Sequence, residues 1–208
     1  YKTSPATDSE AEIQFSLAYG HLHGSGSLGT VGAATGNRAS AAIHAQLVNL
    51  VLPPNTDRFT YANSTTSKHF FVISLKRARM REKMDPGNWE LHVTSGSNTV
   101  KLIDDSGATA DPTIGASKRE FNVVSGSIDN GVYETAAAAA ASTTSGSYGL
   151  FYPEMGMIVL NPSAVASGSG HNIGVRGVVE PLGTSTSTND YNHKKIHNSI
   201  KAGSYFSA

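Results

Sequence analysis

Apolar and polar residues alternate along much of this chain, and the alternation has the period of a β-strand. Ile13, Phe15, Leu17 and Tyr19 fall on one face of segment 12–19. In segment 69–79, Phe71, Ile73 and Leu75 alternate with Val72, Ser74 and Lys76. Another strand is expected over 88–94, which holds the sole tryptophan, Trp89. Between these two, Asp85-Pro86-Gly87-Asn88 has the chemistry of a tight turn: Pro fixes φ, Gly accepts positive φ, and Asp bonds back to the backbone. The two strands are therefore expected to pair antiparallel around a charged corner. Shorter strands are expected at 59–61, 100–103 and 120–124. Segment 148–161 reads as a hairpin turning over residues 153–156, with arms so apolar that they belong in the middle of a sheet.

Helical periodicity is confined to two places. In segment 35–52, Ile43, Leu47, Leu50 and Val51 follow i, i+4, i+7, i+8 spacing, and Pro53-Pro54 ends the helix. Near the end of the sequence, Asp190 is a candidate cap for a helix with Ile196 and Ile200 on one face. The Ala run 136–141 carries no apolar stripe, so a short helical turn or flexible loop is expected there. Ser-Gly-Ser recurs at 25–27, 95–97, 125–127, 145–147 and 167–169. The irregular spacing marks turns between strands rather than a repeat architecture. Residues 1–9 read as a linker and 162–188 as a mobile, loop-rich segment with a weak strand at 173–180. The expected fold is a single domain over 1–208, mainly β, antiparallel and sandwich-like, with two short-to-medium helices; α+β is the fallback. Both ends read as internal, so a segment of a longer polypeptide is expected.

Composition narrows the functional classes. Charged residues are 15% of the chain, against roughly 25% in average globular proteins. Small polar residues make up the difference, which suits turns, strands and assemblies whose partners complete a core. Lys+Arg and Asp+Glu are 16 each, so the basic excess of a general nucleic-acid binder is missing; only 76–83 is locally basic. The absence of Cys excludes disulfides, thiolate nucleophiles and Cys-ligated metals. No apolar run approaches the roughly 20 residues of a membrane-spanning helix.

Each pattern that suggests chemistry fails at a required position. His193 and His197 have the i, i+4 spacing of a shared metal ligand pair, but Lys194 stands where a metalloprotease needs Glu. His21 and His23 flank Leu22, and His69 and His92 are candidates to approach across the expected hairpin, yet no carboxylate completes a site. The Gly-rich stretch 24–30 lacks the Lys of a phosphate-binding loop. Asp104-Asp105 and Glu154 read as turn residues, and no Gly-x-Ser-x-Gly elbow occurs. No catalytic residue, cofactor or metal is expected. The basic run places Arg77, Arg79 and Arg81 on one strand face, with too few acidic residues near in sequence to pair them all. These three arginines are the candidate subunit contacts.

Three segments carry a resemblance: 76–91 (KRARMREKMDPGNWEL), 102–106 (LIDDS) and 148–161 (YGLFYPEMGMIVLN). Together they resemble large virion structural proteins, tail- or baseplate-associated, of T-even-like contractile-tailed phages of marine cyanobacteria and their relatives. The likeness covers roughly residues 40–160. It implies a structural protein of the virion whose partners are other virion proteins and copies of itself; that neither a membrane nor nucleic acid is expected among the partners rests on the hydropathy and the charge balance. It implies no catalytic residues. The alternative expectation is a receptor- or glycan-binding module of a tail appendage, which would meet a host surface glycan.

Overall fold

The most apolar segment takes the centre of the structure, and the rest is arranged around it. The computed structural model describes residues 9–24, 39–106, 113–115, 118–129, 132–135, 147–167 and 192–207. The described chain runs β1 (Phe15–His21), α1 (Ala39–Val51), β2 (Thr60–Tyr61), β3 (Thr65–Thr66), β4 (His69–Leu75), β5 (Glu90–Ser95) and β6 (Asn98–Asp104). It continues with β7 (Thr113–Gly115), β8 (Lys118–Asp129), β9 (Val132–Thr135), β10 (Gly149–Tyr152), β11 (Met157–Leu160), α2 (Pro162–Ser167), α3 (Asn192–Gly203) and β12 (Phe206–Ser207).

The fold is mainly β. One antiparallel sheet has the order β1-β4-β11-β10-β8-β6-β5-β12, with β7 and β9 paired on the ends of β8. β10 and β11 form the expected hairpin, and all their residues are buried. The hairpin turns through a 3-10 segment, Pro153–Met155, and a left-handed Gly156 at φ 60°. A hairpin that is apolar on both faces needs cover above and below and neighbours on both edges. It obtains the neighbours by inserting between β4 and β8.

That insertion overturns the expected pairing of 69–79 with 88–94. β4 pairs with β1 and β11, whereas β5 pairs with β6 and β12. The turn at Asp85 to Asn88 does form, with Gly87 at φ 78° and the Asn88 amide donating to the Asp85 carbonyl at 3.3 Å. It ends a crossing between distant strands instead of joining adjacent ones.

Strand alternation assigns the two faces. Tyr19, Phe71, Ile73, Ile158, Leu160, Phe151, Phe121, Val123, Leu102 and Leu91 point into one core. Phe70, Val72, Val159, Met157, Leu150 and Tyr152 point the other way, where α1 and the β2–β3 hairpin cover them with Val48, Val51, Phe59 and Tyr61. Full burial of each large apolar side chain contributes roughly 1.5–3 kcal/mol, so these two layers dominate the stability. The sheet curls around the first core until its edges approach. Phe15 of β1 meets Phe206 of β12 edge-to-face at 5.4 Å, and α3 lays the buried Ile196 and Ile200 into the gap. A single curled sheet thus does the work of the expected sandwich, and the described residues form three α-helices; the one that no pattern predicted is α2, which adds Ala164 and Val165 to the core.

The first helix packs Ile43, Leu47 and Val51 against the sheet as expected, but its most buried face is shifted slightly from the apolar stripe. Its fully covered face is Ser40, His44, Val48 and Val51, while Leu50 is 57% exposed. The proposed cap Asp190, the Ala run 136–141 and the strand at 173–180 lie outside the described residues.

Candidate functional site

The basic corner between β4 and β5 is the candidate site, and it is held from below by apolar and backbone contacts. β4 ends because its neighbour does: the Leu75 amide donates to the Gly156 carbonyl at 2.9 Å, and the Lys76 amide reaches Gln14 O at 2.8 Å. The alternation of Arg77, Ala78, Arg79, Met80 and Arg81 continues past Leu75, yet the chain leaves the sheet there and Arg77–Arg79 form a 3-10 turn. The Arg79 and Met80 amides close it on Lys76 O and Arg77 O at 2.9 and 3.1 Å. Met80 packs over Gly156, where a Cβ would collide with its sulfur. The Met84 amide donates to Pro153 O at 3.0 Å, and the Gly87 amide donates to both carboxylate oxygens of Asp104 at 3.1 and 2.9 Å. Trp89, 1% exposed, then closes the segment against Phe151 with ring centroids 5.3 Å apart.

The three arginines do not share a face, which corrects the strand reading. Arg77 donates to the carbonyls of Glu82 at 2.8 Å and Glu154 at 3.4 Å, tying the corner to the hairpin turn. Arg79 pairs with Glu12 at 2.5 Å, and the same carboxylate lies 3.7 Å from Lys76. Glu12 is remote in sequence, so a count of nearby acidic residues missed it. Arg81 makes no hydrogen bond or ion pair with a described residue. It lines, with Lys83, a groove of about 670 Å³ whose walls include Phe15, Leu75, Met80 and Phe206. The groove sits at the meeting of the two sheet edges.

The chain matches no protein-family model, no curated protein and no solved structure.

Other sequence candidates are placed plainly. Asp104 is fully buried and also accepts from the Ser106 amide at 3.0 Å; Asp105 accepts from the Asn122 amide and side chain, each at 2.9 Å. Burial pushes the Asp105 carboxyl upward and its Asn122 bonds oppose the push. Both acids fasten turns. Glu154 is exposed beside Arg77. His69 and His92 sit on strands that are not neighbours. His92 instead contacts Glu90 through Nε2 and stacks on Tyr205 at 4.5 Å, while the other Glu90 oxygen accepts from the Ile128 amide at 2.6 Å. This pair was missed because Glu90 looks like an ordinary strand-edge charge in sequence. His197 is exposed on α3; the His193 side chain and residues 25–30 of the Gly-rich stretch lie outside the described residues. Among the described residues no three His, Asp or Glu side chains converge as a metal set, and no helix is long and apolar enough to cross a membrane.

Proposed function

We propose that this domain is a structural subunit of a phage virion, in the tail or baseplate, acting through contacts with neighbouring subunits. One observation carries most of the weight. The three segments that resemble virion proteins are scattered in sequence but pack as one block. Segment 76–91 bonds to 102–106 through Gly87 and Asp104, and to 148–161 through Met84 and Pro153, Arg77 and Glu154, and Trp89 and Phe151. A resemblance spread over unrelated surface loops would carry less, whereas this one follows a single packed unit. The block presents Arg81 and Lys83 beside the groove, cations available to a neighbour. The glycan-binding alternative has less support: Tyr205 is the exposed large aromatic among the described residues, and one ring is a poor sugar-stacking platform.

The test is mass spectrometry of gradient-purified particles, followed by the double reversal Arg81→Glu, Lys83→Glu. The reading expects the chain in the particle at a fixed copy number and its incorporation lost in the variant, with the thermal midpoint of the isolated domain unchanged. Particles that lack the chain would end the reading. Normal incorporation of the variant would remove this corner as the contact.

A further inference from the structure

Three buried imidazoles gather where β1 ends and β4 begins. His21 and His69 are directly opposed in the β1–β4 register, 3% and 9% exposed, with rings nearly parallel and centroids 5.9 Å apart. On the other face of β4, His44 of α1 is 2% exposed and stacks on Phe70 at 5.3 Å. Its Nε2 is buried with no hydrogen-bond partner among the described residues. The first two residues of β4 are thus each stacked by an imidazole on opposite faces, His69 by His21 and Phe70 by His44.

The local bonds depend on neutral rings. The His23 amide donates to Nδ1 of His21 at 3.0 Å, which forms the turn together with the Gly24 amide on His21 O at 2.9 Å. A proton on that nitrogen would set two donors against each other and break the turn. From β1, His21 faces His69, and the neutral Tyr19 ring lies 6.2 Å from it. His44 meets Asp57, Arg58 and His23, and Asp57 is itself 3.5 Å from Arg58.

We propose that this corner is an acid-sensitive clasp: protonation of His69 and His44, with His21 beside them, frees α1 and the end of β1 from the sheet while the β10–β11 centre stays folded. Burial, with a smaller contribution from His21, lowers the His69 pKa to about 4, and burial also lowers that of His44. An unfolded imidazole titrates near 6.5. The unfolded or opened state therefore binds more protons below that pH. The closed state holds its full advantage above pH 6.5 and loses it as pH falls toward about 4. Each histidine kept neutral shifts the opening equilibrium by up to about tenfold per pH unit in this window.

Amide hydrogen exchange at pH 7 and pH 5, corrected for intrinsic rates, tests the clasp. Amides of α1 and of residues 17–21 should lose at least about tenfold more protection than those of β10 and β11, as one titrating ring requires. Equal loss in both regions, or none, overturns the proposal. So does a His69 ring-proton titration near 6.5 in the folded chain. The double variant His44→Leu, His69→Phe should abolish the differential loss; a folded variant that keeps it overturns the proposal. If that variant does not fold, the wild-type exchange ratio decides.

Discussion

The indole of Trp89 rests on the ring of Phe151, with planes inclined at 58°. It binds the end of the basic corner to the central hairpin. Its Nε1 is buried without a hydrogen-bond partner among the described residues, so the contact is purely one of packing. Trp89→Ala is predicted to cost about 3–5 kcal/mol. Trp89→Phe should cost well under half of that, because it keeps ring contact and removes a donor that has no acceptor. Urea unfolding followed by circular dichroism measures both; equal losses would count against the packing account. The native fluorescence of Trp89 should be blue-shifted and resist iodide quenching.

Gly156 and Gly96 make a controlled pair. Both lie at φ near 60°, but a Cβ on Gly96 would meet nothing within 4 Å, whereas on Gly156 it would strike Met80. Gly96→Ala is predicted to cost about 1–2 kcal/mol from backbone strain alone. Gly156→Ala should cost measurably more, with the excess reduced in a Met80→Ala background. An excess that persists without the Met80 side chain would show that the collision is not its source.

Removing the Asp104 carboxylate should open the corner from the other side. Asp104→Ala leaves the part-buried amides of Gly87 and Ser106 without their acceptor, a loss of about 1–3 kcal/mol. Asp104→Asn keeps one acceptor oxygen and should fall between the two. Thermal melts of the three proteins give the order; an Asn variant less stable than Ala would contradict the assignment.

The Arg79–Glu12 pair is predicted to matter little for stability. Both side chains are about half exposed, so the pair is screened and contributes within about 1 kcal/mol. A double-mutant cycle in low and high salt reads the coupling directly, and a salt-insensitive coupling above that size would be the wrong outcome.

Much of the fold was legible because burial on one face leaves period-2 traces. Phe71 and Ile73 follow from that period, the hairpin 148–161 from its continuous apolar arms, the Gly87 turn from its Asp-Pro-Gly chemistry, and the Ile196/Ile200 face from i, i+4 spacing. Strand neighbours did not follow. Alternation fixes which way a side chain points and says nothing about which strand lies alongside, so β4 and β5 looked like partners until the more apolar hairpin claimed the place next to β4. The helix face was read in part, for a different reason. Ile43, Leu47 and Val51 do pack against the sheet, but Ser40 and His44 are polar by type yet buried, while Leu50 is apolar yet exposed, so residue class alone missed the limits of the face. The same ambiguity concealed the candidate site. Glu12 reaches Arg79 just beyond the paired ends of β1 and β4, and that strand pairing, between residues distant in sequence, is encoded by no local spacing.

The contact between Phe15 and Phe206 joins residues from opposite ends of the described chain. Closure of the curl is therefore expected late in folding, because a contact between such distant residues carries the loop-closure entropy of nearly the whole described chain. Until then the apolar row of Leu17, Tyr19 and Phe71 lies open on the concave side; the outer edge of β1 pairs with no described strand even after closure. The chain's vulnerability to misassociation is thus set by how quickly α3 and β12 arrive, a kinetic quantity largely independent of how stable the closed domain becomes.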